Sequence, residues 1–380
     1  MRDKALFITS GWLGDFVWHV PLIRGLTKKF NLDLVVSEQQ EGLARGFEDV
    51  GLVGKVYVAK KKGRLKNALE IADLARKQGT KIYIDMVGKF KTGIYIPHMS
   101  DSDVFIPSRE DAKEYPLAKM LHPFAKTMDS REKGHAVDSY MSVLDFFGIP
   151  RVADFKLGYS AAVRQEAEGV IRKNGLDRNF VALNIGSAQF SKIWPVENFL
   201  ELGKRLRDQG LGVAFIGAGN FRWNGDYDRK IEKTCLKNDK YVFIESNSLM
   251  VNSCLLSSGV FDVSVGNDSF AGHVAGSANQ VFEEFVGTRR ASDGRLFFAN
   301  YSVSLFGPTN SSLYAPYDPT GWFNLVVKPG EYACGYDPGK KNICSMYDKY
   351  PRGGRSACMS SISVDSVVDA VNIQLAKRGL

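Results

Sequence analysis

The chain passes twice through the same rhythm, in which short β-branched and aromatic runs alternate with amphipathic stretches. Strands separated by helices of about 10–15 residues pair in parallel, because a parallel neighbour is reached only by a crossover, and the crossover helices then cover both faces of the sheet. The first round holds ALFITS (5–10), LDLVVS (32–37), KVYVA (55–59), KIYIDM (81–86) and SDVFIP (102–107) as strands. Helices are expected over 15–29, with Pro21 in or near the first turns, and over 65–78 and 135–147. Periodicity is lost in GIPRVADFKLGY, near 148–160, which reads as an interdomain connector. The alternation then resumes with a helix over 161–175, FVALNIG (180–186), a helix over 195–209, GVAFIGAG (212–219), YVFIE (241–245), a helix over 248–258 and VFDVSVGND (260–268). SVSLFGPT (302–309) is a later strand and turn, and a helix over 364–378 begins after Ser363, a suitable N-cap. The pattern predicts an α/β protein of two Rossmann-like doubly wound lobes, 1–160 and 161–380, facing a central cleft. In such sheets ligands bind outside the carboxyl ends of the strands.

With 380 residues, 44% of them hydrophobic and 24% charged, each half is large enough to bury its own core, and collagen-like, disordered and coiled-coil classes are excluded. No apolar run approaches the roughly 20 residues of a membrane helix. The start, MRDKALFITSGWLGD, has an acid in its n-region and reaches Asp15 too soon for a signal peptide, so a cytoplasmic location is expected. The five cysteines agree with a reducing compartment: Cys235, Cys254, Cys334, Cys344 and Cys358 are odd in number and unpatterned. The last three share a Gly/Pro-rich stretch but lack the fourth ligand of a closed zinc site, so free or structural thiols are expected. The net charge of +8 is modest. Its sharpest concentration, Lys55, Lys60, Lys61, Lys62, Arg64 and Lys66, contains no acid and reads as a solvated helix entry or as a face for anionic lipid or a phosphorylated acceptor. Nucleic acid is not expected as a partner, since no interleaved aromatics or binding motif accompany the run.

Three strand ends carry chemistry. Thr9-Ser10-Gly11-Trp12-Leu13-Gly14-Asp15 is a glycine-flanked turn into a helix, in which Asp15 is either a favourable first-turn acid or a carboxylate general base. Asn184-Ile185-Gly186-Ser187 leads through a polar loop to Lys192-Ile193-Trp194-Pro195, where Pro195 opens a helix. Ser187 and Lys192 could hold a diphosphate there, or could be ordinary loop residues. Val265-Gly266-Asn267-Asp268-Ser269-Phe270-Ala271-Gly272-His273 is a strand end followed by a helix with free first-turn amides. In that block Asp268 or Ser269 could cap the helix, and His273 could simply pack.

Taken in order, these blocks, the turn Leu305-Phe306-Gly307-Pro308-Thr309 and the tail ending Cys358-Met359 resemble glycosyltransferase family nine, the ADP-heptose:lipopolysaccharide heptosyltransferases. The family shows an S-x-x-G-D turn (here Ser10 to Asp15, one residue longer), a Gly-Ser or Gly-Thr loop leading to K-x-W-P, a G-x-D-[ST]-G-x-x-H element, an L-F-G-P-T turn and a cysteine-bearing tail. The resemblance spans nearly the whole chain. It implies a GT-B fold and inverting transfer of heptose, or a related sugar, from an ADP-activated donor. No metal or other cofactor is implied, because the nucleotide sugar is a substrate. Asp15 becomes the general base, with Gly14 beside it. Lys192 and Ser187 stabilise the leaving diphosphate, Asp268 orients sugar hydroxyls, and the amides of Ser269, Phe270 and Ala271 hold phosphate oxygens close to His273. The implied partners are a nucleotide sugar and an anionic glycolipid or glycan, with peripheral contact at the inner membrane. The first lobe would bind acceptor and the second donor.

Three departures bear on the donor: Phe270 stands at the family's glycine, Trp12 and Trp18 add bulk to the first turn, and residues 283–300 interrupt the second lobe. Asp226 and Asp228 are candidates for holding a ribose. Rival readings are transfer from another nucleotide sugar or to a protein, and a non-catalytic nucleotide-sugar binder. A dinucleotide oxidoreductase would need a GxGxxG followed by an acid, which the chain lacks.

Overall fold

Runs such as KALFI and NLDLVVS can be buried on both faces only in a parallel sheet covered by helices, and that is how they fold. The computed structural model describes residues 2–9, 11–60, 64–86, 103–108, 126–129, 134–176, 179–217, 225–235, 241–244, 248–277, 301–318, 321–330 and 356–380. Two compact units divide the chain, Met1–Ser160 and Ala161–Leu380.

In the first unit the order is β1 (Lys4–Ile8), α1 (Leu13–Leu26), β2 (Asn31–Ser37), α2 (Glu41–Asp49), β3 (Val56–Ala59), α3 (Arg64–Lys77), β4 (Ile82–Asp85), β5 (Asp103–Ser108), β6 (Lys126–Asp129) and α4 (Ala136–Phe146). The strands form one sheet in the order β3-β2-β1-β4-β5-β6, with every pairing parallel. Leu6, Ile8, Val35, Ile71, Ala72, Ala75 and Tyr83 form a core between the sheet and α3. The buried Asp33 on β2 is paired with Lys4 at 3.1 Å and accepts the Lys55 amide at 2.7 Å, so its charge is not stranded.

The connector is strapped to this unit. Residues 149–160 carry no helix or strand, yet Phe155, Leu157 and Tyr159 are buried, and Arg24 reaches Asp154 at 2.6 Å. Gly158 lies so close to α2 that a Cβ there would meet the Gly46 carbonyl oxygen at 2.4 Å.

The second unit runs α5 (Ala161–Lys173), β7 (Phe180–Asn184), a 3₁₀ turn (Phe190–Lys192), α6 (Val196–Asp208), β8 (Gly212–Ile216), α7 (Gly225–Cys235), β9 (Tyr241–Ile244), α8 (Leu249–Ser257) and β10 (Val263–Asn267). It continues with α9 (Phe270–Ser277), β11 (Tyr301–Leu305), α10 (Ser311–Tyr314), β12 (Asn324–Val327), α11 (Ala357–Ser360) and α12 (Val364–Arg378). Its sheet, β12-β11-β10-β7-β8-β9, is again parallel throughout. Both sheets therefore grow outward in one direction for three strands and then return to the other side of the first strand, the doubly wound Rossmann order. The reversal falls between β1 and β4 in the first unit and between β7 and β10 in the second, and the crevice at such a point is where these sheets take ligands.

Helix α12 closes the second core over α6 and the sheet. Ser363 caps it through the Ser366 amide at 3.1 Å, and Arg378 in its last turn pairs with the buried Asp262 at 3.0 Å. The structure differs from the sequence expectation in particulars. Strands β6 and β12 were not expected, because KTMD and NLVV are too short to stand out. Pro21 lies in the interior of α1, where it costs the helix one amide donor. Pro195 is the residue before α6 and not its first residue. Ser10, Lys61, Lys62, the 283–300 interruption, Cys334 and Cys344 lie outside the described residues, as do the side chains of Arg64, Asp226 and Asp228.

Candidate active site

Strands β7 and β10 are neighbours at the switch point, with Gly266 opposite Asn184. Their carboxyl ends must turn without losing backbone hydrogen bonds, and one side chain accomplishes this for both. Asn267, wholly buried, accepts the Trp194 amide at 2.9 Å and donates to the carbonyls of Ile185 at 3.1 Å and Gly186 at 3.4 Å. Trp194 is itself fully buried, edge-on to Phe199 with ring centroids 5.0 Å apart. Its Nε1 donates to the Ile362 carbonyl at 3.0 Å. The loop between these anchors carries Ser187 and Lys192.

So held, Lys192 places its Nζ 2.6 Å from Asp268 Oδ2, and Thr309 Oγ1 donates to the same oxygen at 2.5 Å. The other carboxylate oxygen lies 3.8 Å from His273 Nε2. Asp268 is almost completely buried, while the Lys192 side chain keeps 16% of its surface exposed, so the cation is the more accessible member of the pair. Ser187 is buried, and its Oγ accepts the Gln189 amide at 3.3 Å. Helix α9 begins just beyond Asp268, and its first amides precede the first intrahelical acceptor, since His273 N to Ser269 O at 3.1 Å opens the ladder. A lysine point charge next to a helix N-terminus is an arrangement for an anion. Phe270 starts α9 without strain: Asn179 is the one non-glycine residue with positive φ among those described, so the backbone at 270 does not require glycine.

In the first unit, α1 begins immediately after the β1 turn, with Trp12 at its N-cap in extended conformation. Asp15 is the third residue of the helix, in the first turn and half-buried, and Gly14 precedes it. The turn is braced from below by the buried Gln40. Its Nε2 donates to the Trp12 carbonyl at 2.8 Å, while its Oε1 accepts from Thr9 Oγ1 at 2.7 Å. Trp18 does not crowd this turn, as the sequence suggested; it is buried and lies edge-on to His135.

Of the residues the sequence singled out, the fold brings Lys192 and His273 to the Asp268 carboxylate. It missed Thr309, Asn267 and Asp85. Thr309 stood in a noted turn without a role. Asn267 stood inside the third block, where a buried amide at a strand end is the available signal. Asp85 ends β4 opposite Ile8 and is buried at the first unit's switch point, hidden in a run that reads only as strand. Cys235, Cys254 and Cys358 are free thiols. Burial pushes both Cys235 and Cys254 up to about 12, with Glu232 adding to the effect at Cys235. Cys358 packs beneath Gly307, its Sγ 2.9 Å from Ser356 Oγ. Among the described residues no group of three His, Cys, Asp or Glu is placed to hold a metal ion, and no helix is long and apolar enough to cross a membrane.

Comparison with known proteins agrees with this architecture. The model of glycosyltransferase family 9 (heptosyltransferase) matches residues 77–280. A family 9 glycosyl transferase from Veillonella parvula is similar in structure, with 20% identity, a TM-score of 0.71 and coverage of 99% of this chain and 98% of that one. ADP-heptose lps heptosyltransferase II of E. coli gives 15% identity and a TM-score of 0.70 over 99% and 100%. E. coli heptosyltransferase WaaC with ADP gives 14% and 0.67 over 98% and 99%. No curated protein matches the sequence. At these identities the structures establish the GT-B fold with its two Rossmann-like lobes, and the family match covers more than half of the chain: the protein belongs to glycosyltransferase family 9 and is a heptosyltransferase-like glycosyltransferase.

Proposed function

We propose that the protein moves a heptose, or a closely related sugar, from an ADP-activated donor to a hydroxyl of a lipopolysaccharide core or other anionic surface glycan, with inversion at the anomeric carbon. The observation that carries this reading is the Lys192–Asp268 pair, 2.6 Å apart beside the α9 N-terminus at the second lobe's switch point. Support for the donor comes from the heptosyltransferase relatives, one of them described as an ADP-heptose enzyme and another as a complex with ADP.

In this reading residues 161–380 hold the donor and residues 1–160 the acceptor. The Asp15 carboxylate removes the proton from the acceptor hydroxyl, and that oxygen attacks the anomeric carbon from the side opposite the diphosphate. The bond between the anomeric carbon and the diphosphate oxygen breaks, and its electron pair leaves with the diphosphate. Charge therefore develops on the leaving group, where Lys192, the Ser187 hydroxyl and the amides of Ser269, Phe270 and Ala271 meet it. Asp268 orients sugar hydroxyls and is itself held by Thr309 and Lys192, with His273 3.8 Å away. The enzyme would work in the cytoplasm, where activated sugars are made, and touch the membrane peripherally to reach a lipid-linked acceptor.

A donor screen tests this. The protein is incubated with ADP-heptose and with UDP-, GDP- and CMP-sugars while nucleotide release and sugar transfer are followed. ADP release with transfer of heptose is expected. Turnover with UDP- or GDP-sugars alone would overturn the heptose assignment.

A further inference from the structure

We propose that Trp12 is a stacking platform for a sugar ring of the acceptor, a recognition subsite next to Asp15; the inference rests on the reading of Asp15 as the base that activates an acceptor hydroxyl. Trp12 is 57% exposed, in a lobe whose other large side chains at the β1 edge, Phe16 and Trp18, are buried. The other exposed large hydrophobics of this lobe, Val50, Leu74, Phe146 and Val152, lie on or after helices or in the connector. Trp12 alone of these stands at the carboxyl edge of the sheet's first strand, where the fold takes its ligands.

Exposure of so large an apolar ring could reflect a loose loop, but the backbone beneath it is fixed. The Trp12 carbonyl accepts Gln40 Nε2 at 2.8 Å and the Phe16 amide at 3.2 Å, and the Gly11 carbonyl accepts Ser37 Oγ at 3.1 Å. Gln40 is wholly buried and is held in turn by Thr9 and by the Ser37 amide. The protein thus spends a buried polar network on holding still a residue whose side chain it leaves in solvent. An exposed indole on a fixed backbone suits recognition, because less conformational freedom is lost when something stacks on it than on a loose loop.

The chemistry of the partner follows from the ring and its neighbour. The face of an indole carries the negative part of its quadrupole, and the C–H bonds on one face of a pyranose ring present the complementary positive edge. The indole N–H remains available to a sugar hydroxyl. Trp12 is the N-cap of α1 and Asp15 the third residue of its first turn, so both stand at the turn that opens the helix. A sugar stacked on Trp12 therefore brings one of its hydroxyls, or one of the next sugar, toward the Asp15 carboxylate. Trp12 would set which acceptor ring is accepted, with no part in donor binding.

The test uses the full chain with ¹⁵N-labelled indoles, Trp12→Phe to assign the Trp12 signal, and core oligosaccharide released from heptose-deficient lipopolysaccharide as the probe. The Trp12 indole signal should move on titration and saturate. Trp12→Ala should raise the KM for the oligosaccharide by about tenfold or more, with Trp12→Tyr restoring most of it and the KM for ADP-heptose within about twofold of the parent. An indole signal unmoved by the oligosaccharide, or an unchanged acceptor KM in Trp12→Ala, overturns the proposal. So does a shift produced by phosphatidylglycerol vesicles and not by the oligosaccharide, which would make Trp12 a membrane contact. Failure of the parent enzyme to transfer heptose at all would count against the functional reading, and the indole titration would still decide the role of Trp12.

Discussion

Asn267 and Trp194 are joined side chain to backbone, carboxamide oxygen to amide nitrogen at 2.9 Å, and the same carboxamide holds the carbonyls of Ile185 and Gly186. One residue thus ties the beginning and the end of the loop that bears Ser187 and Lys192. Asn267→Ala removes the side-chain partner of one amide and two carbonyls, at a cost of about 1–3 kcal/mol for each group that water cannot reach. The expected result is a lower melting temperature and weaker ADP binding by calorimetry. Unchanged ADP affinity would show that the loop keeps its shape without this clamp.

Lys192→Gln tests the cation. It removes the charge proposed to meet the diphosphate and leaves Asp268, nearly buried, with Thr309 and His273 as its named neighbours. The fall in kcat should be about 10²–10³, the scale found when one fixed stabilising group is removed from a transition state. Combining it with Asp268→Asn should be less damaging than the sum of the two single changes, because the pair is in direct contact.

Asp15→Asn keeps the size and the helix position while removing the carboxylate proposed as the base. Binding of ADP should be retained and kcat should fall by about two orders of magnitude or more. A variant with near-normal turnover would remove Asp15 from the chemistry.

Gly307→Ala tests packing behind Thr309. A Cβ at 307 would stand 2.6 Å from Met359 Sδ and 2.9 Å from Cys358 Sγ. Overpacking of this kind costs about 1–3 kcal/mol. Urea unfolding should show that loss, and Cys358→Ala in the same chain should return part of it.

Alkaline pH bears on the buried thiols. The Cys254 thiol is raised by burial to about 12 in the folded chain, above its ordinary value of 9.0. Above pH 9 the unfolded chain therefore loses a proton that the folded chain keeps, so this thiol's contribution to stability is complete below about pH 9 and is lost as pH rises toward 12. Cys254→Ala should flatten the decline in stability over that window. Native protein at pH 8 should leave Cys254 unreacted with thiol reagents until denaturant is added.

Most of the architecture was legible because its signals are long-range and redundant. Each central strand is a buried apolar run, each crossover is an amphipathic helix, and the two repeats of that pattern fix the class. The edges were less legible. KTMD has little hydrophobic content and NLVV is only four residues long, and both became strands through pairing with neighbours that the sequence could not show. The site was legible to the extent that motif order revealed it: Lys192 and Asp268 are 76 positions apart in sequence and meet only because β7 and β10 are adjacent in the sheet. The supporting groups were not, since Asn267, Gln40 and Asp85 act through burial and partners, and a polar residue next to a strand looks the same whether it faces solvent or a turn amide.

The indole of Trp194 takes its partner from Ile362, a residue 168 positions further along the chain. During synthesis the first lobe has all its strands once Ser160 has emerged, and can fold as a unit. The loop with Lys192 leaves the ribosome soon after, but its anchor arrives only near the end of translation, together with the α12 residues that seal the second core. The second lobe is therefore the last to mature, and an arrested or shortened chain would carry a finished first lobe and a Lys192 loop that had never been anchored.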